Sequence, residues 1–509
     1  MLLLCLLLLL RVPAHPQDLD PFAGEENAAA RENELAEQGG PGAFSLRLRG
    51  QGAPGRTRQY QRLAWKGRHQ EVYLLVERDP GETFWADFAA GYYHWHSSAH
   101  PFSLTAGDLR PGFGQGLVFG RSGGRGAPFP ALRQDRQTPG YRASGENDAL
   151  RGLALDGRAG SWEVVVLAGR AGRDARMGKE GQVISLPTSG LHRTRTEKTG
   201  QDLLNLWVGG ARLRWARPSY QWGATFQALR FDRRVDLRKK DDRAFHGQAV
   251  RLSGTDFRLQ WRGLSAAGEA GVDAQGRRGM LGVAMLRLGR QRLGATWRHY
   301  DPDFPTFFGG ALGRSERGET GLLLNADLRW RGWQGRLWTD NWHSAQADQP
   351  RSQVLGWSLS APLPPSLRLE LSGQQNPGQD RRGRLKLRWT PQRRLELAAR
   401  IEGRRLQGKG KAAAWGRLFS WRAAGQWQRL EWTCHLSRFH TSAYASRLYE
   451  YEYDLPGALS IRPLYGKGWR WYLLAARTWG PLRLAGRYRQ QQGRRDAGLQ
   501  LDLEWSPRS

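Results

Sequence analysis

Three groups of polar residues have types and spacings that could do chemistry, and the first is a histidine cluster. His94, His96 and His100 lie close in sequence, and His94 and His96 share one face if the segment is a strand. Imidazole nitrogens placed in this way could hold a metal ion such as zinc. The tract 92–96, with Tyr, Tyr and Trp around the histidines, is equally typical of the aromatic girdle of a membrane barrel. We therefore predict neither a metal site nor a cofactor.

The second group pairs histidine with hydroxyl or carboxyl side chains, the residue types of acid–base and nucleophilic catalysis. His440 with Ser442, or Asp340 with His343, could form the site of a hydrolase at the rim of a barrel, and His435 is a further candidate base. The same spacings are typical of polar rim residues that have no catalytic role. We therefore expect no enzymatic activity and assign no catalytic residue, and a barrel-rim hydrolase is the last alternative.

The third group is formed by the arginines. The chain of 509 residues has 78 Lys and Arg against 47 Asp and Glu, a formal net charge of +31, and only nine of the basic residues are lysine. Such an excess suggests nucleic acid, an anionic membrane surface or acidic substrates as partners. Segment 121–149 is too long and polar for a hairpin turn, so it is either an external loop that faces lipopolysaccharide phosphates or one folded into a lumen. Its candidate anion-binding residues are Arg121, Arg125, Arg133, Arg136 and Arg142.

The elements that must position these residues are β-strands. Apolar and polar residues alternate with a period of two in short runs, which Gly, Pro, Asp or Arg-rich turns separate. The clearest runs are 367–371, 385–389 and 499–505, and segment 114–119 is an earlier candidate strand. The polar positions of such runs, with the arginine between two tryptophans at 469–471, give the candidate lumen-facing residues Arg368, Glu370, Lys386, Arg388 and Arg470.

The number of strands indicates the architecture. Residues 43–505 allow about 20–26 strands at roughly 18–22 residues for each strand and its connection. A solenoid would repeat with a short fixed period, and a string of secreted sandwiches would show linkers and fewer than the 23 tryptophans present. The mean hydropathy of −0.64 excludes a protein of membrane helices. We predict an all-β fold, a large antiparallel transmembrane β-barrel of about 20–26 strands.

The N-terminus carries the features of an export signal. We predict a signal peptide at 1–16, an acidic periplasmic lead-in at 17–42, and at 43–509 a barrel in the outer membrane of a Gram-negative type envelope. Long loops are expected near 121–149, 171–202, 302–318 and 455–468. With Cys5 inside the signal, Cys434 would be alone, so the exported chain could not form an intramolecular disulfide.

Three tracts resemble recurring segments of a family of outer-membrane barrel proteins associated with helix-hairpin-helix, ComEA-like domains. They are AGDLRPGFGQGLVFG at 106–120, YRASGENDALRG at 141–152 and TSGLHRT at 188–194, and they follow the family's order. The resemblance covers roughly residues 60–230, and the helix-hairpin-helix units themselves have no room in 17–40. The family-like motif residues are Gly107, Asp108, Phe113, Gly114, Gln115, Gly116, Glu146 and Asn147.

The glycines at 112, 114 and 116 do not have the spacing of a dinucleotide fingerprint. We interpret them as bare backbone on one strand face, against which a plug or an inward loop can pack closely. The resemblance implies an outer-membrane barrel and, through the associated domains, a role with DNA.

Together these observations predict an outer-membrane barrel that acts as a pore or a surface scaffold, with anionic solutes as the candidate cargo. The alternative, from the positive charge and the family resemblance, is a DNA-uptake or DNA-binding component of the outer membrane. Expected partners are outer-membrane lipids and lipopolysaccharide, the barrel-assembly machinery, an anionic solute and, under the alternative, DNA.

Overall fold

The computed structural model describes residues 42–507 apart from 54–55, 83–86, 121–131, 134, 137–139, 146, 188–189, 191, 238–244, 315–317, 346–350, 364–365, 378–379, 408–411 and 459. The predicted signal peptide and almost all of the predicted lead-in therefore lie outside the described residues. So do Arg121, Arg125 and Glu146.

The described chain is almost entirely β-structure, with one short helix, α1 (Arg195–Gly200), and one 3-10 turn (Tyr444–Ser446). The strands are β1 (Ala43–Ala53), β2 (Arg56–Lys66), β3 (Gln70–Arg78), β4 (Phe88–His96), β5 (Phe102–Leu109), β6 (Leu150–Ala159), β7 (Trp162–Arg173), β8 (Arg176–Met177), β9 (Val183–Ser185), β10 (Leu204–Ala216), β11 (Tyr220–Leu237), β12 (Phe245–Trp261), β13 (Leu264–Asp273), β14 (Arg278–Leu288), β15 (Gln291–Tyr300), β16 (Glu319–Trp330), β17 (Trp333–Ser344), β18 (Ser352–Pro362), β19 (Leu367–Asn376), β20 (Asp380–Gln392), β21 (Leu395–Leu406), β22 (Ala414–Trp427), β23 (Leu430–Thr441), β24 (Leu448–Glu452), β25 (Ser460–Leu464), β26 (Lys467–Trp479), β27 (Leu482–Gln491) and β28 (Arg494–Trp505).

Twenty-four of these strands close into one antiparallel barrel. Each barrel strand pairs with the next one along the chain, and β1 pairs with both β2 and β28, so that Phe44 lies opposite Trp505. The short strands β8, β9, β24 and β25 belong to the loops. Closure leaves no sheet edge, which a membrane-spanning sheet requires because lipid offers no hydrogen bonds. The predicted all-β antiparallel barrel is confirmed.

The period-two alternation separates an apolar outer face from a mixed inner face. In β10, Trp207 points outward and is 59% exposed, whereas its neighbours Leu206 and Val208 point inward and are buried. Leu, Val, Phe and Trp side chains repeat this outward exposure around the barrel. A closed barrel with so extensive an apolar exterior is stable against lipid. The protein is therefore a transmembrane barrel of the outer membrane.

The two ends of the barrel differ in the length of their connections. At one end, the turn end, adjacent strands are joined by two to five residues, and both β1 and β28 have their terminal ends there. At the other, the loop end, lie the four longest connections, 110–149, 174–203, 301–318 and 442–466. Short turns face the periplasm in barrels of this class, so the loop end faces outward. No helix among the described residues has the length and apolarity needed to cross a membrane.

Parts of the long loops fold back into the barrel and create a hydrophobic core inside it. Leu117 and Phe119 of loop 110–149 and Phe304 of loop 301–318 cluster with inward residues such as Leu167 and Leu206 of the wall. Burying each such side chain contributes roughly 1.5–3 kcal/mol. The prediction of a strand at 114–119 is wrong, because this segment forms turns and bends inside the lumen.

Candidate functional site

The glycine-rich segment 111–120 is held inside the barrel by one wall carboxylate. Glu269 of β13 accepts hydrogen bonds from the backbone N–H groups of Gln115 (2.6 Å), Leu117 (3.0 Å) and Val118 (3.2 Å). Gly114 has a φ of 54°, and a Cβ there would lie 2.8 Å from Glu269 Oε2. The glycines therefore let the backbone curve around a carboxylate. They do not form the bare strand face that the sequence suggested. They do belong to a loop that folds into the lumen.

Two further contacts connect this segment to the loops around it. The N–H of Gly310 donates to the carbonyl of Gly116 (2.8 Å), and the N–H of Gly120 donates to the carbonyl of Phe308 (2.8 Å). Segments 111–120 and 308–310 therefore lie in the lumen as one packed unit. Arg212 of the wall extends this unit, because its guanidinium binds Asp135 Oδ2 at 2.8 Å and also pairs with Asp256.

The arginines predicted for an anion-binding loop lie largely against protein groups. Arg142 pairs with Glu71 and lies over the ring of Tyr92. Arg136 donates to the carbonyl of Arg110 (3.4 Å), and the backbone N–H of Arg133 donates to Gln115 Oε1 (3.4 Å). The charge of Arg142 is therefore neutralised by the wall, and the anion-binding role of the loop as a whole stays a prediction.

Loop 442–466 fills a second part of the lumen, through the hairpin β24–β25. Glu450 accepts hydrogen bonds from His435 Nε2 (2.9 Å) and Ser437 Oγ (2.5 Å) of β23, and Glu452 pairs with Arg470 of β26. Burial would raise the pKa of Glu450, but the hydrogen bond and charge of His435, with the Ser437 hydroxyl and nearby Arg400, hold it below its usual value. The carboxylates of Glu450 and Glu452 therefore fix the hairpin to the wall.

A further charged surface of the lumen is the inner face of β19–β22, which we call the cationic wall. Leu385, Trp389 and Ile401 are exposed on the outside of these strands, so the alternate residues face inward. Among the described residues, this inner face has eight cations and four carboxylates. The cations are Arg368, Arg382, Arg384, Lys386, Arg388, Arg400, Arg404 and Arg422, and the carboxylates are Glu370, Asp380, Glu396 and Glu402.

Each carboxylate of the cationic wall is shared between several cations. Glu402 accepts from Arg384 Nε at 2.7 Å and also pairs with Arg400. Glu370 lies 3.2 Å from Arg388 Nη2 and 3.6 Å from Lys386 Nζ. The carboxylates hold the guanidinium groups in place, but they balance only half of the positive charge that faces the lumen.

Water reaches the cationic wall, unlike the buried ion pairs around Arg298. The side chains of Arg384 and Arg388 are 16% and 17% exposed, whereas that of Arg298, paired with Glu319 and Asp340, is 0% exposed. Arg404 lies towards the loop end and Arg368 towards the turn end. Inward residues recur roughly every 6.5–7 Å along a strand, so the wall presents cations over the whole height of the barrel. Guanidinium groups bind carboxylates and phosphates through paired hydrogen bonds.

All five candidate lumen-facing residues lie on the inner face. Arg368, Glu370, Lys386 and Arg388 belong to the cationic wall, and Arg470 lies between the outward Trp469 and Trp471. Sequence reasoning identified these residues because each interrupts an apolar run at alternate positions. It missed Glu269, Glu450 and Glu452. A carboxylate in the middle of the small-residue strand β13 was the available signal for Glu269, whereas the two loop residues have none.

The family-like motif residues have structural contacts. Asp108 pairs with Arg151 (3.0 Å) and accepts the N–H of Gly91 (2.7 Å), beside Gly107 with its φ of 116°. Phe113 packs against Phe119 and lies beneath the guanidinium of Arg212. Asn147 lies in the last part of loop 110–149. Within the described part of the motif, the contacts order the first luminal loop.

The two pairs considered for catalysis differ: Asp340 and His343 are kept apart, whereas His440 and Ser442 both contact Trp415. Asp340 points inward and binds Arg298 and Arg314, whereas His343 lies on the outer face. His440 stacks against Trp415, and Ser442 Oγ donates to the Trp415 carbonyl (3.3 Å). The hypothesis that Asp340 and His343 act as a pair is therefore wrong.

The histidines considered as metal ligands have other neighbours. His94 contacts Thr105 Oγ1 at 2.9 Å. His96 Nε2 lies 3.3 Å from Nδ1 of His69, and His100 stacks beside Phe102. Each of the three histidines therefore has a different neighbour.

No protein-family model matches the chain, and no curated protein matches it significantly. Solved structures with a similar fold include the translocation pore of the P pilus usher PapC, with 10% identity, a TM-score of 0.41, and coverage of 92% of this chain and 100% of its own. A mutant of the ferric enterobactin receptor PfeA from Pseudomonas aeruginosa has 10% identity, a TM-score of 0.45 and coverage of 92% and 81%. The siderophore receptor PirA from Acinetobacter baumannii has 8% identity, a TM-score of 0.44 and coverage of 91% and 80%. The family resemblance of tracts 106–120, 141–152 and 188–194 stays a prediction.

Proposed function

We propose that the protein is a gated passage for anionic solutes across the outer membrane, in which the cationic wall is the conducting surface and the luminal loops are the gate. The observation that carries the proposal is the excess of eight cations over four carboxylates on one water-accessible inner face that runs from loop end to turn end.

The physical argument is electrostatic. A row of fixed cations along low-dielectric walls lowers the free energy of an anion at each position and raises that of a cation. Because Glu402 and Glu370 each bind two or more cations of the wall, the cations that they bind do not hold a solute with their full charge. Partial neutralisation favours passage over permanent binding, since conduction requires that a solute also leaves.

The contacts between loop 442–466 and the cationic wall support the assignment of this loop as a gate. The carbonyls of Tyr449 and Arg447 in loop 442–466 accept hydrogen bonds from Arg400 (3.1 Å) and Arg404 (2.7 Å). The loop therefore covers the outward end of the wall with groups that a strongly bound anion would displace.

Proteoliposome efflux tests the proposal. Inorganic phosphate and glucose would be released from vesicles containing the full chain, and Arg384→Gln, Arg388→Gln and Arg400→Gln would be combined in one variant. We expect phosphate efflux to fall about tenfold or more while glucose efflux changes less than twofold. Arg405→Gln is the matched control, because Arg405 is exposed on the outer face beside Arg404. Equal reduction for both solutes would contradict the proposal.

The same wall favours DNA as the second candidate cargo, because phosphates recur along a polynucleotide and guanidinium groups would neutralise them. This alternative predicts that single-stranded oligonucleotides bind the folded barrel, with an affinity that falls steeply between 50 and 200 mM salt. Binding that is weak and insensitive to salt would remove it.

A further inference from the structure

A cluster of carboxylates and one histidine lies where two extracellular loops meet, away from the cationic wall. Glu82 and Asp87 belong to the connection between β3 and β4, and Asp174 and His192 belong to loop 174–203. His192 comes two residues before Thr194, whose side chain and that of Glu197 form a capping box at the start of α1. The capping box fixes the backbone after His192, so the imidazole has a defined position.

The side chains of this cluster face one another, and all of them except the half-buried Asp87 are buried. Glu82, Asp174 and His192 are 8%, 8% and 4% exposed. His192 Nδ1 lies 3.6 Å from Asp87 Oδ2, and ligand atoms of Glu82, Asp87 and His192 all lie within 4.8 Å of one another. Ligands about 2.1 Å from a tetrahedral metal ion lie roughly 3.4 Å apart, close to the 3.6 Å between His192 Nδ1 and Asp87 Oδ2.

The second observation is the orientation of the imidazole. His192 Nε2 contacts Asp174 Oδ2 at 3.1 Å, and Asp174 is itself held by the N–H of Asp202 (3.2 Å). A proton on Nε2 is therefore donated to Asp174, which turns the lone pair of Nδ1 towards Asp87. Histidines that bind metal characteristically donate their other N–H to a carboxylate in this way.

The charges of the cluster favour a cation between these atoms. Glu82 Oε1 accepts the backbone N–H of His192 at 3.1 Å, which holds this carboxylate beside the imidazole. Two carboxylates and an imidazole lone pair directed at one point repel one another unless a proton or a cation lies between them. A divalent ion would neutralise all three at once.

We propose that Glu82, Asp87 and His192 bind a divalent first-row transition metal ion, with Asp174 as a positioning residue. One imidazole and two carboxylates suit Mn²⁺ to Zn²⁺ better than Ca²⁺, which prefers six to eight oxygens. Three protein ligands leave room for water in the coordination sphere. The ion would join the β3–β4 connection to loop 174–203 on the outer side of the barrel.

Isothermal titration of the full chain in detergent, after treatment with a chelator, tests this site with Zn²⁺, Mn²⁺ and Ca²⁺ as probes. All samples would carry His69→Ala and His96→Ala, because that exposed pair at the turn end offers two other nitrogens. We expect one equivalent of Zn²⁺ to bind, Mn²⁺ to bind more weakly and Ca²⁺ not to compete. Absence of Zn²⁺ binding at 0.1 mM would overturn the proposal.

Variants connect the binding to these residues. His192→Ala is expected to weaken Zn²⁺ binding at least 100-fold, and His192→Gln keeps a polar group opposite Asp174 if the alanine variant fails to fold. Asp174→Asn should weaken binding about 10- to 100-fold. The matched control is His299→Ala, because His299 also contacts an aspartate, Asp301, at 3.1 Å, but its other ring nitrogen contacts the hydroxyl of Thr320 (2.7 Å) and not a carboxylate. Unchanged affinity in both folded His192 variants, or an equal loss in the control, would overturn the assignment.

Discussion

Replacing Glu269 should release the glycine-rich segment from the barrel wall. Glu269→Ala removes the acceptor of three backbone N–H groups, those of Gln115, Leu117 and Val118, inside a buried environment. A hydrogen bond to a charged acceptor contributes roughly 1.5–3 kcal/mol, and desolvation of the carboxylate offsets part of this. We therefore expect the free energy of docking to fall by about 3–4 kcal/mol, which corresponds to a roughly 10²- to 10³-fold rise in the population of the open loop.

Glu269→Gln should release the segment less than Glu269→Ala does. The amide keeps one carbonyl oxygen, which can serve Gln115 and Leu117, but presents N–H groups to the third donor, Val118. The expected loss is about 1–3 kcal/mol, the cost of one buried group left unsatisfied. Asp327→Asn is the matched control, because Asp327 is a buried inward carboxylate whose described partners, Arg292, Arg329 and Gln334, all belong to the wall.

Hydrogen exchange measured by mass spectrometry is the assay. Peptides covering 113–120 should exchange roughly 10²- to 10³-fold faster in Glu269→Ala, several-fold to about 100-fold faster in Glu269→Gln, and unchanged in Asp327→Asn. The barrel strands should keep their protection in all three. Unchanged exchange of 113–120 in Glu269→Ala would refute the view that one carboxylate holds this segment.

Two further predictions concern the same loops. Gly114→Ala should destabilise segment 111–120 by about 1–3 kcal/mol, because φ is positive there and a Cβ would lie 2.8 Å from Glu269 Oε2. Hydrogen exchange of 113–120 measures this loss. Gly157→Ala is the control, because a Cβ at Gly157 would lie in open space. The hairpin β24–β25 should undock as the pH falls below the ordinary glutamate pKa of 4.5, because the pKa of Glu450 is lower in the folded protein than in the unfolded chain. The contribution of Glu450 to docking is therefore present above pH 4.5 and is lost as the carboxylate is protonated. After correction for the intrinsic pH dependence of amide exchange, the protection of peptides covering 448–464 should fall between pH 5 and 3 in the native chain and stay constant in Glu450→Gln, and an identical fall in both would contradict this.

The barrel could be predicted from the sequence because its determinant is local. In runs such as 385–389, each residue shows by its polarity which face it occupies, and that pattern gives strand, inner face and membrane environment together. Arg388 and Arg470 were found in this way.

The contents of the lumen could not be predicted, because they depend on contacts between residues far apart in sequence. The N–H of Leu117 meets Glu269 across 152 residues, and no periodicity records that pairing. Segment 114–119 has the composition of a strand, yet the positive φ of Gly114 and Gly116 lets it turn around the wall carboxylate. Glu82 and His192 likewise meet only because two extracellular loops fold together.

The most direct test of the central claim is the reversal potential of the barrel with its gate released. Glu269→Ala would be combined with deletion of 448–464 and reconstituted in planar bilayers under a tenfold gradient of potassium chloride. The account predicts an anion-selective reversal potential, which moves towards zero when Arg384, Arg388 and Arg400 are replaced by glutamine. A cation-selective potential, or one that these three replacements leave unchanged, would contradict the claim that the cationic wall is the path through the barrel.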